Sequence, residues 1–215
     1  MSDSEPILFV VDDELDARQS IAALASSLGI KCETFASAGD FLERFEVSLA
    51  GCLLIDLVLE GITGLELQER LAEMDSTLPV ILISAFADVP VTVRAMQNGA
   101  LTVLEKPYRA NELADAIQKA FRVNRHMREA SAQSRQLERR IGTLSARERR
   151  VMELVLADKP NRVIAADLGA GRRTVDRIRS TMLEKMGVLS LVELAQRVAV
   201  LRAAEEARNR NRFCE

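Results

Sequence analysis

The chain has 215 residues, 48% of them hydrophobic and 28% charged, with a formal net charge of −3. This composition suits one large or two small globular domains. It holds no run of about 18 apolar residues that would span a membrane, and its acidic start, "MSDSEP", is not a signal peptide. The charge is unevenly divided: residues 1–123 carry −11 and residues 124–215 carry +8, so the halves are expected to meet different partners, the basic one nucleic acid.

In chain order, "ILFVV" (7–11) is a short apolar run rich in strand formers. Leu15 to Leu28 has helical spacing and stops at Gly29, "CETF" is a weaker strand, and Ala38 to Val47 is helical. "CLLID" (52–56) is a third strand, Leu65 to Met74 a helix after Gly64, and "PVILIS" (79–84) a fourth strand. Val89 to Asn98 is a helix closed by Gly99, "LTVLE" (101–105) a fifth strand, and Asn111 to about Val123 a last helix. Five strands alternating with helices predict an α/β fold with a doubly wound parallel sheet, whose function collects at the carboxyl ends of the strands.

Polar residues stand at those ends: Asp12 and Asp13 after the first strand, Asp56 closing the third, Ser84 the fourth and Lys106 after the fifth. Asp56 interrupts the apolar run "LLIDLVLEG", where a buried charge is costly unless paired or bound to a metal. Three carboxylates brought together call for a cation, and a hard oxygen cluster suits Mg²⁺. A carboxylate so held can attack phosphorus and become an acyl phosphate, with a lysine and a hydroxyl holding the phosphoryl oxygens. Asp56 is therefore expected to be a phosphate acceptor.

The motifs "VVDDE", "LLIDLVLEGITGLEL", "VILISAFAD" and "LEKPY" resemble the receiver domain of two-component response regulators, a flavodoxin-like fold. The resemblance implies phosphorylation of Asp56 by a sensor histidine kinase. It also implies Mg²⁺ binding by Asp12, Asp13, Asp56 and the Val58 carbonyl, phosphate sensing by Ser84 and Lys106, and a cis Lys106–Pro107 bond. Three positions depart from the pattern. Val103 stands where an aromatic switch ring is usual, Glu60 where proline is usual, and Phe86 where a small or polar residue is usual. Val58 and Phe86 flank the path by which water reaches the phosphate in receivers, and both are apolar. By analogy, dimer contacts are expected around Val91 to Ala95 and the fifth strand.

Residues 124–142 are polar, arginine-rich and free of proline, and are expected to form an exposed helix extending the one before. His126, the chain's single histidine, is read as a solvated residue with no suggested carboxylate partner. Ser145 and Glu148 form a capping-box pattern that opens a helix with Val151, Met152, Leu154 and Val155 on its apolar side. "RVIAADLG" is a short helix, and after "AGR" comes "RTVDRIRSTMLEKMG". A last helix is opened by Ser190 and Glu193. Two short helices joined by a tight glycine-containing turn read as a helix-turn-helix. On its second helix Val175, Ile178, Met182 and Leu183 should face a core. Arg173, Asp176, Arg177 and Ser180 should face a DNA groove, with Arg172 and Arg179 placed for phosphates.

"LSARERRVMELV", "NRVIAADLG" and "RTVDRIRSTMLEKMG" resemble the FixJ/NarL group of LuxR-type output domains. That implies Asp176, Arg177 and Ser180 against base edges and Arg173, Thr174 and Arg179 near the DNA backbone. Gly171 replaces the usual serine cap, and Ile178 the common histidine. The expected organisation is a receiver at 1–123, a helical linker at 124–142, a helix-turn-helix domain at 143–208 and a tail at 209–215. The function implied is a cytoplasmic transcription regulator that dimerises when phosphorylated and binds double-stranded DNA. Two rivals are weaker. A Mg²⁺-dependent phosphohydrolase usually needs a second acid two residues after the nucleophile, where this chain has Val58, so no enzyme is expected beyond self-phosphotransfer at Asp56. A pseudo-receiver with a decayed switch is favoured by Val103 alone. Cys32, Cys52 and Cys214 lack ligand spacing and read as reduced thiols.

Overall fold

The computed structural model describes residues 5–74, 76–85 and 88–212. The chain divides into two compact units, Met1–Glu129 and Ala130–Glu215.

In the first unit strands β1 (Ile7–Val11), β2 (Lys31–Phe35), β3 (Gly51–Asp56), β4 (Val80–Ser84) and β5 (Thr102–Glu105) alternate with helices α1 (Leu15–Ser27), α2 (Ala38–Arg44), α3 (Gly64–Glu73), α4 (Val89–Gln97) and α5 (Ala110–Gly142). All strands are parallel, in the order β2-β1-β3-β4-β5. The chain runs one way from β1 to β2 and returns to place β3 on the other side, so the crevice of this doubly wound sheet opens between β1 and β3. β3 and β4 are buried along their whole length, as parallel strands covered on both faces must be. Phe9, Val11, Leu53, Ile55 and Leu82 meet Phe41, Leu67 and Leu71 on one face. Leu8, Val10, Leu54, Ile81 and Ile83 meet Ile21, Ala25, Leu113 and Ile117 on the other.

Local chemistry sets the element ends. Ser37 accepts the Asp40 N–H to start α2, and Thr63 and Glu66 form a reciprocal capping box at α3. α2 stops at Arg44, three residues before the sequence reading placed its end, because Phe45 turns extended and buries its ring against Phe41. The Lys106–Pro107 bond is cis.

α5 continues unbroken to Gly142, but the exposure expected along 124–142 is not uniform. Asn124 is 2% exposed, and Ser134 and Leu137 are buried. The Asn124 side chain accepts the Gly51 N–H at 3.0 Å and donates to the Thr77 carbonyl at 2.7 Å, so it belongs to the sheet's packing.

The second unit holds the end of α5, then α6 (Ala146–Leu156), α7 (Asn161–Asp167), α8 (Arg172–Met186) and α9 (Leu191–Arg212). Its core joins Leu137, Val151, Leu154, Ile164, Val175, Met182, Met186, Leu194, Val198 and Leu201. Ser145 and Glu148 form the expected capping box. At α9 the box is incomplete: Ser190 accepts the Glu193 N–H, but the Glu193 carboxylate reaches past it to the Leu189 N–H at 2.9 Å.

Candidate functional site

The β1 and β3 register pairs Val11 with Ile55, which sets Asp12 and Asp56 side by side just beyond it. Asp12 is 1% exposed and Asp56 9%. The Lys106 Nζ, carried in from the end of β5, lies 3.3 Å from Asp12 Oδ2 and donates also to Asp56 Oδ2. The other Asp56 oxygen accepts the Val58 N–H at 2.9 Å. Lys106 is aligned through its backbone, whose N–H donates to the Ser84 carbonyl at 2.7 Å.

Charges so close in a dry strand end perturb one another. Desolvation holds the Asp12 carboxyl above its ordinary range, although the Glu14 N–H and Lys106 pull it down. Burial pulls Lys106 down, but its hydrogen bond to Asp56 and the charges of Asp56 and Asp12 outweigh this and raise it. Backbone geometry adds a constraint: a side chain at Gly64 would come within 2.4 Å of the Asp56 carbonyl oxygen, so the loop after β3 closes tightly only over glycine.

The expected meeting of three carboxylates is only partly realised. Asp12 and Asp56 share the Lys106 ammonium, Asp13 is exposed, and no three acidic, thiol or imidazole side chains among the described residues converge for a metal. Ser84 is buried at the end of β4. Val58 is 72% exposed, Val103 is half-buried against the sheet core, and Phe86 lies outside the described residues.

The second candidate surface is on α8. Val175 and Met182 are buried and Ile178 and Leu183 pack against the core, as their spacing predicts; Met186, absent from that reading, is fully buried with them. Arg172, Arg173, Asp176, Arg177 and Ser180 are exposed, and Thr174 is half-exposed. Gly171 caps α8 without a side-chain hydrogen bond. Arg179, expected near DNA phosphates, is half-buried and donates to the Asn161 side-chain oxygen.

Both surfaces have known counterparts. Residues 8–118 match the response regulator receiver domain, and residues 142–198 the LuxR family of bacterial regulatory proteins. Nodulation protein W of Bradyrhizobium diazoefficiens is 38% identical over 89% of this chain and 84% of its own. The transcriptional regulatory protein FixJ of the same organism is 32% identical over 88% and 92%. This chain belongs to the FixJ-type two-component response regulators. Among solved structures, response regulator StyR superposes with a TM-score of 0.79 at 37% identity over 91% of this chain and 99% of that one. Full-length FixJ from B. japonicum does so with 0.56 at 31% over 92% and 98%.

As a FixJ-type regulator the chain is a DNA-binding transcription regulator with an N-terminal receiver and a LuxR-type output domain. No helix among the described residues is long and apolar enough to cross a membrane. Ala95, placed on the expected dimer face, is fully buried; α4 instead exposes Val89, Val93 and Met96, spaced 4 and 3 residues apart along one side. His126 does have a carboxylate neighbour, Glu129 at 3.8 Å, but both side chains are more than half exposed. Cys32 and Cys52 are free thiols that burial pushes upward, Cys32 to about 11, and Cys214 lies outside the described residues.

Besides Asn124, sequence reasoning missed three polar residues of the second unit. Asn161 bridges α7 and α8. Arg140, near the end of α5, donates to the Met186 carbonyl at 2.6 Å and occupies the space over Gly187, where a side-chain carbon would lie 1.9 Å from its guanidinium. Lys185 donates at 2.7 Å to buried Glu148, whose carboxyl is lowered to about 2 by this bond and by the Ser145 N–H. Only the capping-box spacing of Glu148 was legible locally; the other contacts join residues 15 to 46 positions apart.

Proposed function

We propose that Asp56 accepts a phosphoryl group from a sensor histidine kinase, and that the modified protein dimerises and binds promoter DNA through α8. The proposed functional organisation is a receiver over 1–123, a helical connection over 124–142, a helix-turn-helix domain over 143–208 and a tail over 209–215, in a cytoplasmic protein. The observation that carries the reading is the setting of Asp56: one oxygen on Lys106, the other on the Val58 N–H, beside a buried second carboxylate at the sheet's switch point.

The residues fit a hard divalent cation. Asp12 and Asp56 outnumber the one ammonium between them, leaving surplus negative charge in a desolvated strand end that offers only oxygen donors. Mg²⁺ held there by Asp12, Asp13, Asp56 and the Val58 carbonyl would offset the charge of the incoming phosphoryl oxygens. In the transfer an Asp56 oxygen bonds to phosphorus as the bond from phosphorus to the donor breaks, giving an acyl phosphate. Lys106, already against that oxygen, follows the charge onto the phosphoryl group, and the Ser84 hydroxyl would hold a second oxygen. Val103 cannot act as the usual aromatic switch.

The test is to incubate the protein with Mg²⁺ and acetyl phosphate and follow intact mass and oligomeric state together. One phosphoryl group should be added with a shift from monomer to dimer, and Asp56→Asn should abolish both. An acid-labile adduct retained in that variant would overturn the assignment. Equal operator affinity with and without phosphate would favour the constitutive, pseudo-receiver reading.

Phosphate lifetime is a second consequence. Val58 and Phe86 cannot orient a water by hydrogen bonding, so spontaneous loss should be slow; positioning and activating a nucleophile are worth orders of magnitude in rate. The double variant Val58→Asn, Phe86→His should lose phosphate faster, measured by decay of the phosphoprotein mass after donor removal. Unchanged or slower decay would overturn the assignment of slow phosphate loss to these two positions.

A further inference from the structure

Asp176 and Arg179 are three residues apart on α8, a spacing at which an acid and a base on a helix normally pair. They form no ion pair with each other among the described residues. Asn161, the first residue of α7, stands between them: its Nδ2 donates to Asp176 Oδ1 at 3.2 Å, and its Oδ1 accepts from Arg179. The two bonds demand opposite polarities, so the amide has one orientation that serves both, and neither a carboxylate nor an ammonium could replace it.

We propose that Asn161 is a specificity-determining positioning residue that keeps Asp176 available to a base edge by separating it from Arg179. The inference rests on the reading that α8 faces the DNA groove. Without the amide, Asp176 and Arg179 close on each other. The carboxylate that could accept from a cytosine amino group is then occupied, and the arginine is withdrawn from phosphates. Asp176 keeps its second oxygen, Oδ2, outside the Asn161 bond, and Arg179 keeps its other guanidinium donors. Asn161 itself need not touch DNA.

The experiment uses the full-length protein, treated with acetyl phosphate and Mg²⁺, to select from a randomised duplex pool. The variants are Asn161→Ala, Asn161→Leu and Asp176→Ala. Asn161→Leu approximates the native side chain in size but offers neither bond, so it tests the idea even if the alanine variant folds poorly. One good side-chain–base contact discriminates by roughly 5- to 150-fold. Both Asn161 variants should lose most of that at the base pair where Asp176→Ala loses it, with preferences elsewhere intact. Adding Asn161→Ala to Asp176→Ala should change that position no further. If Asp176→Ala shifts a base pair and neither Asn161 variant does, but affinity for every sequence drops alike, Asn161 is a structural stitch and the proposal is overturned. If Asp176→Ala shifts nothing, the base-contact reading of α8 fails, and this inference with it.

Discussion

Glu148 shows how one buried side chain can tie an output domain together. Its carboxylate accepts the Ser145 N–H at the start of α6 and the Lys185 ammonium from the end of α8. Because its folded pKa is depressed to about 2 from an ordinary 4.5, the stabilisation is present above pH 4.5 and is lost as pH falls from there toward 2. Acid titration of the second unit followed by circular dichroism should show that loss, and Glu148→Gln should flatten the curve. At neutral pH the same variant should be less stable by about 0.3–1.5 kcal/mol through the weakened cap alone, and by more once the Lys185 partner is counted. A curve indistinguishable from wild type between pH 4.5 and 2 would show that Glu148 does not carry the acid sensitivity.

Among the elements, α5 is the one whose role the sequence under-reported. Its first turns follow β5 and bury Leu113, Ile117 and Ala120 against the sheet. Beyond Val123 the pattern is polar and reads as solvated, yet Asn124 closes two buried backbone groups, the Gly51 N–H and the Thr77 carbonyl. Asn124→Ala should destabilise the first unit by about 1–3 kcal/mol for each group left without a partner, seen as a lowered Tm with phosphorylation at saturating donor retained. A change confined to the second unit would place Asn124 in the linker after all. Elements and site were legible where the code is local. Strand runs, helix-stopping glycines and the carboxylates and lysine at strand ends can all be read within a few residues, and β1, β3 and β5 delivered Asp12, Asp56 and Lys106 to one point. Asn124, Arg140 and Asn161 were illegible because an amide or guanidinium on a polar helix face looks solvated until a partner 15 or more positions away is known. The same blindness to partners let Ala95 be read as a surface residue, although α4 turns it inward.

At the scale of the molecule, the charge division seen in the sequence falls close to a physical one. The acidic portion folds around a parallel sheet with two cores, one on each face, and the basic portion around a single helical core. A sheet buried on both faces is difficult to form without its covering helices, whereas the helical unit draws on contacts much closer in sequence.

The contact of Arg140 with Met186 and Gly187 bears on where this protein can be cut. A fragment starting at 143, where the helix-turn-helix motif suggests a border, keeps every residue proposed to meet DNA. It discards Leu137 from the core and removes the guanidinium that satisfies the end of α8. A fragment starting at 130 keeps both. The longer piece should melt several degrees higher, since burying one leucine is worth about 1.5–3 kcal/mol and each kilocalorie moves the Tm of so small a domain by roughly 4–8 °C. Equal melting temperatures would mean that the last turns of α5 are passengers. On the contacts seen, the border of the motif and the border of the folding unit do not coincide. Thirteen residues upstream of the motif, 130–142, then decide whether the isolated output domain stands up by itself.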